Sequence, residues 1–412
     1  MLSERLIQKI EDHFRRETGR AVCYLPTARL GIYATLCEMF FPGEKLIITP
    51  VTDDIVLFAV LAAGLKPVFI DIHRESGGLR TDTIQTGISA GASGIFTSNL
   101  YGIPDDARAI RQICDQHGLT FVEDCAHALG ATVGDQKIGT FGDVSLYSLA
   151  KHIGGQGGIV TSKDPEKINA IKKRAEPFVV RQTRRLSTIE SFRFITSDAL
   201  SSLPVIRAFT KKLLYPLLGL LPNPYAGKAD DFERIGHRVP ITPADFHGWE
   251  KRKPFEDYDR YIRVDNIRYR KIPCWYLLWK NLMALRNFSE KAPSYRSASA
   301  RFDPRMIYQM GRPLSGTTAC YFKLPVFTEN RDFHYDKMTE RGMEFHAIFD
   351  PPFTNYLPHD LFINCVTDEA ACLRWSRKIL PVSLKDTDQV SEYISLNKKE
   401  FAHAPDLQSR DV

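Results

Sequence analysis

Between residues 20 and 165, short apolar runs rich in β-branched residues alternate with stretches of helical periodicity. A run such as Val68–Ile70 is apolar at every position, which is typical of a strand covered by helices on both faces. Strands that alternate with helices form a parallel sheet, and ligands of such sheets bind beyond the carboxyl ends of the strands. The predicted strands are Lys45–Val51, Lys66–Ile72, Gly94–Ser98, Thr120–Glu123, Val144–Ser148 and Gly158–Ser162.

The alternation is lost beyond residue 165. Between Ser294 and Leu384 the pattern predicts a smaller α+β unit with strands at Cys320–Pro325 and Leu361–Val366 and helices at Phe333–Arg341 and Asp368–Ile379. We therefore expect an α/β protein. Its large domain, residues 1–265, has a mainly parallel sheet, and residues 266–412 form a small C-terminal domain.

A basic stretch and an apolar stretch interrupt the large domain at about 175–238. Residues 172–212 contain ten basic and three acidic side chains, and the uncharged run Leu213–Leu221 follows. This run is far shorter than the roughly 20 residues that span a bilayer. Two interpretations stay open for 172–221: an arm that covers the small domain or packs across a dimer, or a peripheral contact with an anionic membrane surface. Residues 249–270 are predicted to form a long connecting helix.

The composition narrows the class of protein. Of the 412 residues, 43% are apolar, enough for a sizeable core, and a net charge of +6 is too small for a dedicated nucleic-acid binder. Met1–Arg16 carries charges of both signs, unlike a signal or transit peptide, so a cytoplasmic location is expected. The eight cysteines include no C-x-x-C pair, and we predict reduced thiols and no metal site.

The polar residue Asp124 ends an apolar strand, within the segment Val122–Gly130. A buried carboxylate is costly unless it meets a cation, and the protonated ring nitrogen of pyridoxal phosphate is such a cation. The alternative is that Asp124 caps a following helix. The first interpretation makes Asp124 a cofactor ligand.

A lysine follows the predicted strand that ends at Ser148. Lys151 enters a glycine-rich turn, where partial desolvation favours the neutral amine and hence a Schiff base. The Ser148 hydroxyl could address the phosphate of the same ligand, as could the N-terminal end of a helix that starts near Thr27. Ser-x-x-Lys also occurs in serine acyl enzymes, but the companion motifs of that chemistry are absent.

From about Ala21 to Lys163 these motifs occur in an order that resembles the DegT/DnrJ/EryC1/StrS family of sugar aminotransferases, a branch of the fold type I pyridoxal phosphate enzymes. Further matching segments are Gly64–Ile72 and Asn99–Gly102. The resemblance implies an aminotransferase, usually a homodimer with active sites at the subunit interface. It also implies transfer of an amino group, commonly from glutamate, onto a ketone of a nucleotide-linked sugar.

The resemblance also assigns roles to individual residues. It implies that Lys151 is the Schiff-base lysine, that Asp124 is the partner of the ring nitrogen and that His127 lies near the ring. The implied phosphate contacts are Thr27, Ala28 and Ser148.

The chain departs from the family after Pro50. Family members usually place there an aromatic side chain that stacks on the cofactor ring, whereas this chain reads Val51-Thr52-Asp53-Asp54. Two alternatives to an aminotransferase stay open: a pyridoxal-phosphate-dependent dehydratase, and a non-catalytic relative that binds a ligand or partner. Asn99 and Tyr101 are equally consistent with packing or turn residues and with substrate contacts.

Overall fold

The computed structural model describes residues 2–201, 271–302, 310–341, 343, 352–355, 357, 359–397 and 401. The helices in these ranges are α1 (Leu2–Thr18), α2 (Ala28–Met39), α3 (Asp54–Ala62), α4 (Ile84–Ser89), α5 (Ala107–His117), α6 (Pro165–Ala175), α7 (Arg184–Ser201), α8 (Trp275–Arg286), α9 (Phe288–Arg296), α10 (Arg331–Glu340), α11 (Glu369–Arg377) and α12 (Thr387–Leu396). The strands are β1 (Ala21–Leu25), β2 (Lys45–Ile48), β3 (Lys66–Phe69), β4 (Ala92–Thr97), β5 (Thr120–Asp124), β6 (Thr132–Val133), β7 (Gln136–Lys137), β8 (Val144–Ser148), β9 (Gly158–Ser162), β10 (Thr317–Thr318), β11 (Lys323–Phe327), β12 (Ile363–Asn364) and β13 (Ile379–Ser383).

The central sheet has the strand order β1-β9-β8-β5-β4-β2-β3-β12. It is parallel from β8 to β12, and β9 runs antiparallel to both of its neighbours. The α/β class and all six predicted strands are confirmed, although β2 and β3 each end three residues early. Val51 and Ile72 remain buried beyond the ends of β2 and β3, so their apolar character reflects burial and not pairing in the central sheet.

Helices cover both faces of this sheet. One apolar core lies under α2, α3 and α6, and the other lies under α1, α5 and α8. Helix α8 follows the undescribed residues 202–270, yet its Leu278, Leu282 and Leu285 are buried in the same core as Phe14 of α1. The expected domain boundary at 265–266 falls outside the described residues and stays a prediction.

The C-terminal part is α+β, as expected. The antiparallel pair β11 and β13 packs with α10, α11 and α12 around Trp375, which is fully buried. The predicted helices correspond to α10 and α11, whereas the strand predicted at Cys320–Pro325 begins three residues later. Strand β12 is shorter than predicted and pairs with β3, which joins this part to the main sheet.

Of the basic and apolar interruption, only the part up to residue 201 is described. It contains the end of α6 and the whole of α7. Leu213–Leu221 and the helix predicted at 249–270 lie outside the described residues. In the part of the chain that the structure describes, no helix is long and apolar enough to cross a membrane.

Candidate functional site

Asp124 is the last residue of β5 and is buried, with 5% of its surface exposed. Its Oδ1 accepts a hydrogen bond of 2.8 Å from the Ala126 backbone N–H. Burial raises the pKa of the Asp124 carboxyl to about 7; the Ala126 N–H and Lys151 act in the opposite direction, while Asp53 raises the pKa further. The anionic carboxylate is therefore poorly stabilised by the protein alone.

The capping alternative for Asp124 is wrong. Residues 126–127 form a turn, and no helix starts there. The bond to Ala126 is a local turn of the type that Asp makes with the residue two positions on. Asn99 supports the same strand end, because its Nδ2 donates to the Asp124 carbonyl oxygen at 2.8 Å.

Lys151 lies in a loop between β8 and β9 whose base is closed by backbone bonds. The Leu149 N–H donates to the Gly157 carbonyl at 3.0 Å, and the Gly155 N–H donates to the Leu149 carbonyl at 2.7 Å. Gly157 has a φ of +124° and an added Cβ would lie 2.4 Å from the Tyr24 hydroxyl, so the turn requires glycine there. The loop presents Lys151, which is half-buried, at the same edge of the sheet as Asp124.

His127 and Phe322 form an aromatic pair beside Lys151. Their rings are stacked, with centroids 5.1 Å apart and planes at 28°, and Lys151 Nζ lies 5.5 Å from the Phe322 centroid. Burial, followed by the charge of Lys151, lowers the pKa of His127 well below its ordinary value. Its Nδ1 accepts a long contact of 3.4 Å from the Tyr101 N–H, an arrangement that suits a neutral imidazole with its proton on Nε2.

Thr27, Ala28 and Ser148 meet around Gly158. Ser148 pairs with Gly158 on one side and Leu25 of β1 pairs with it on the other. An added Cβ on Gly158 would lie 2.5 Å from the Ala28 backbone nitrogen, so the N-terminal end of α2 sits directly against the strand. Thr27 caps that helix by accepting the Leu30 N–H at 3.2 Å. The result is a helix N-terminus beside a serine hydroxyl, an arrangement suited to an anion.

The structure thus brings the residues predicted from the sequence to the carboxyl ends of β5 and β8 and to the start of α2. Asn99 and Tyr101 are instead buried, at 1% and 0% exposure, and both have positive φ. Their segment is bonded to the backbone of Phe322, whose N–H donates to the Tyr101 carbonyl at 2.9 Å. This supports the packing interpretation for both residues.

The sequence analysis missed Phe322, Asp53 and Asn281, which hydrogen-bonds to the Gln156 backbone in the loop of Lys151. Val51 points into an apolar cluster, as expected for a residue that cannot stack on a ring, while Phe322 brings an aromatic face from the C-terminal half. Asp53 caps α3 and influences the Asp124 pKa. Its position after a buried strand was a usable signal; Phe322 and Asn281 gave none, because only the tertiary fold places them here.

The candidate site lies in a region of the chain that is similar to a known family. The sequence model of the DegT/DnrJ/EryC1/StrS aminotransferase family matches residues 27–189. This region contains Thr27, Asp124, His127, Ser148 and Lys151. Over residues 27–189 the chain is therefore similar to the DegT/DnrJ/EryC1/StrS aminotransferase family.

Individual relatives show how far the similarity extends. A UDP-N-acetyl-3-dehydro-alpha-D-glucosamine 3-aminotransferase of Acidithiobacillus ferrooxidans is 35% identical over 129 residues, which cover 30% of this chain and 35% of that protein. The chain thus matches about a third of the length of this curated relative.

Solved structures match almost the entire chain, at low identity. A DegT/DnrJ/EryC1/StrS aminotransferase from Brucella abortus has a TM-score of 0.64 at 15% identity, covering 95% of this chain and 90% of that one. A GDP-4-keto-6-deoxymannose-3-dehydratase with a trapped PLP–glutamate geminal diamine has a TM-score of 0.63 at 14% identity, covering 94% and 92%. These likenesses establish the fold.

Proposed function

We propose that the protein is a pyridoxal-phosphate-dependent aminotransferase that moves an amino group from glutamate onto a keto sugar, nucleotide-linked or otherwise anionic. The observation that carries the proposal is the buried Asp124 carboxyl at the same sheet edge as Lys151. A carboxyl that burial makes costly as an anion suits a bound cation, and a lysine beside it suits an aldehyde.

The residues present fit pyridoxal phosphate. Asp124 would hold the ring nitrogen, because a pyridinium is the cation that its desolvated carboxylate lacks. Ser148 and the start of α2 at Thr27 and Ala28 would hold the phosphate, since Gly158 leaves no side chain between them. His127 and Phe322 would lie beside the ring.

When bound, the cofactor supplies an electron sink for the bond changes at the amine carbon. Lys151 would hold the aldehyde group of the cofactor and, once released, would serve as the general acid and base that moves the proton. Asp124 would keep the ring nitrogen protonated. The neutral His127 can donate only from Nε2, so it orients an acceptor without adding a positive charge next to Lys151.

The substrate class rests on the relatives. The aminotransferase from Acidithiobacillus ferrooxidans is named for a keto derivative of a UDP-linked sugar, and the dehydratase structure holds glutamate on its cofactor. A panel of nucleotide-linked keto sugars incubated with glutamate tests the proposal. Formation of 2-oxoglutarate that depends on both sugar and protein supports it, whereas no product with any sugar and any amino donor contradicts it.

The same panel separates the alternatives. A dehydratase releases a deoxygenated keto sugar without net amination, which mass spectrometry distinguishes from an amino sugar. A non-catalytic relative binds a sugar or partner and yields neither product. We favour transfer because Lys151 is present, and with it the proton-moving group that a binding protein does not need.

We also propose that the protein acts as a homodimer, as the family resemblance implies, and that it is cytoplasmic. Light scattering on the purified protein gives its mass directly. A mass near twice 46.8 kDa is expected, and a monomer that retains full turnover contradicts the proposal.

A further part of the proposal is a peripheral contact between segment 172–221 and an anionic membrane surface. What favours it is the outer face of α7. Among the described residues eight large apolar side chains are exposed, and four of them lie on α7 or α8: Leu186, Ile189, Phe192 and Trp279. Such clustering marks a docking surface more than random exposure does.

The charges of α7 also suit an anionic surface. Its acidic residues are paired: Glu190 with Lys271, and Asp198 with Lys280 at 2.6 Å. Its arginines at 184, 185 and 193 are exposed, and no ion pair is recorded for them within the described ranges. Arg185, Ile189 and Phe192 share the side of the helix opposite the buried Ser187 and Ser191, so apolar and cationic groups face outward together.

A further inference from the structure

The side chain of Asn281, in α8, hydrogen-bonds to the backbone of the loop that carries Lys151. Its side chain is buried, at 2% exposure. Its Nδ2 donates to the Gln156 carbonyl at 2.6 Å, and its Oδ1 accepts the Gln156 N–H at 3.2 Å. One amide side chain thus satisfies both polar groups of one residue, as a neighbouring strand would.

The shape of the loop depends on this contact. A Cβ added to Gly155 would lie 2.2 Å from Asn281 Oδ1, so the glycine allows the amide to approach the turn. Gly155 in turn donates to the Leu149 carbonyl at the base of the loop. Lys151 lies between Leu149 and Gly155, which this bond joins. Opening of the loop would therefore break the Asn281 contacts.

A second group holds the same carbonyl. The Tyr24 hydroxyl donates to the Gln156 carbonyl at 2.9 Å. No other partner is recorded for the Gln156 N–H among the described residues, apart from Asn281. Loss of the Tyr24 hydroxyl would leave one hydrogen bond at the Gln156 carbonyl and one at its N–H, both with Asn281. Loss of the Asn281 amide would remove the bond at the N–H and one of the two bonds at the carbonyl.

We propose that Asn281 is a positioning residue, whose amide fixes the glycine turn at Gln156 and thereby the place of Lys151 relative to Asp124. This rests on the proposed function, because it assigns a reactive role to Lys151. Helix α8 lies after residues 202–270 in the chain, so the group that positions the turn is supplied from a distant part of the sequence.

The test compares Asn281→Ala with Asn287→Ala, an exposed asparagine at the end of the same helix, and with Tyr24→Phe. Hydrogen–deuterium exchange of peptides covering 149–158 is measured in protein without added cofactor. Asn281→Ala is expected to speed this exchange by about three- to tenfold, the range that one net hydrogen bond represents. Tyr24→Phe is expected to have a smaller effect, and Asn287→Ala none.

The second readout uses protein loaded with pyridoxal phosphate. Asn281→Ala is expected to shift the pH midpoint of the visible absorbance and to lower kcat roughly tenfold or more with less change in KM, because small misplacements of a reacting group are costly. If the variant does not fold, Asn281→Asp replaces it, since it keeps the volume and the acceptor for the Gln156 N–H. Exchange, midpoint and kcat equal to wild type in the folded variant would overturn the inference.

The two proposals fail in different ways. If wild-type protein binds no pyridoxal phosphate, the proposed function fails whatever the exchange experiment gives. If wild-type protein binds the cofactor and turns over while Asn281→Ala behaves as Asn287→Ala does, only the positioning role fails.

Discussion

The phenyl ring of Phe322 and the imidazole of His127 lie nearly parallel, 5.1 Å apart, although 195 positions separate them in the sequence. Phe322 also faces Lys151. The strand that ends before Val51 supplies no aromatic side chain, whereas Phe322 presents an aromatic face beside Lys151. The pair closes the site from the side of the C-terminal half.

Replacing Phe322 by leucine is expected to weaken the binding of pyridoxal phosphate, because an aliphatic side chain cannot stack on His127 or present an aromatic face to Lys151. Stacked pairs of this kind are worth about 0.5–1.5 kcal/mol, so affinity should fall about three- to tenfold. Fluorescence titration measures it. Phe41→Leu, at a residue 79% exposed, is the control, and equal affinities for both variants would remove Phe322 from the site.

Asp124→Asn is expected to lower turnover by about a hundredfold or more while the protein still folds, because a neutral amide cannot hold the proton on the ring nitrogen by charge. Steady-state kinetics and a thermal melt measure the two effects. Turnover close to wild type would mean that Asp124 serves only the turn at Ala126.

The same variant has a pH signature in protein without cofactor. Burial raises the Asp124 pKa from the ordinary 3.8 to about 7, so the stability that the protonated carboxyl contributes is present below pH 3.8 and is lost as the pH rises to about 7. Asp124→Asn lacks this loss. The melting temperature of Asp124→Asn minus that of wild type should therefore be larger at pH 8 than at pH 5. A larger difference at pH 5 would contradict the assigned pKa.

Asp53→Asn is expected to lower the Asp124 pKa, because it removes a nearby negative charge while asparagine still caps α3. The decline of stability with pH in cofactor-free protein should then start at the same pH but end at a lower pH, so that less stability is lost in total. Asp106→Asn, at the cap of α5, is the matched control. An unchanged pH profile for Asp53→Asn would place Asp53 outside the electrostatics of the site.

Vesicles containing anionic lipid are expected to bind the protein at low salt and to release it as salt rises. Each exposed arginine near such a surface is worth about 1 kcal/mol, so reversing the charge at 184, 185 and 193 should weaken binding by about a hundredfold or more. Lys291→Glu, on α9, is the control. If wild-type protein stays in the supernatant even at low ionic strength, the membrane contact is wrong and the dimer-arm interpretation of α7 remains.

Much of the fold and the core of the site could be predicted from local sequence. Periodicity located β8 and β9 to the residue, and the polar residues after buried strands marked Asp124 and Lys151, because parallel strands bring their carboxyl ends to one edge. Burial extends past the ends of β2 and β3, which is why the strands predicted from the apolar pattern are too long.

The remainder depends on contacts across long sequence separations. Phe322 reaches His127, and Asn281 reaches Gln156, only after the C-terminal half has folded against the sheet. Nothing in the pattern around either residue differs from that of an ordinary core position. The capping role considered for Asp124 failed for a similar reason, since the sequence alone did not reveal the turn at Ala126.

The central claim, that Lys151 holds the cofactor, is tested most directly by the visible absorbance of protein loaded with pyridoxal phosphate and washed free of excess. Wild type and Lys163→Ala, an exposed lysine after β9, are expected to keep a visible band that glutamate alters. Lys151→Ala is expected to show no such band and no turnover, with an unfolding free energy within about 0.5 kcal/mol of wild type, as for a half-buried side chain outside the core. A washed Lys151→Ala protein that keeps the band and still transfers amino groups would contradict the account.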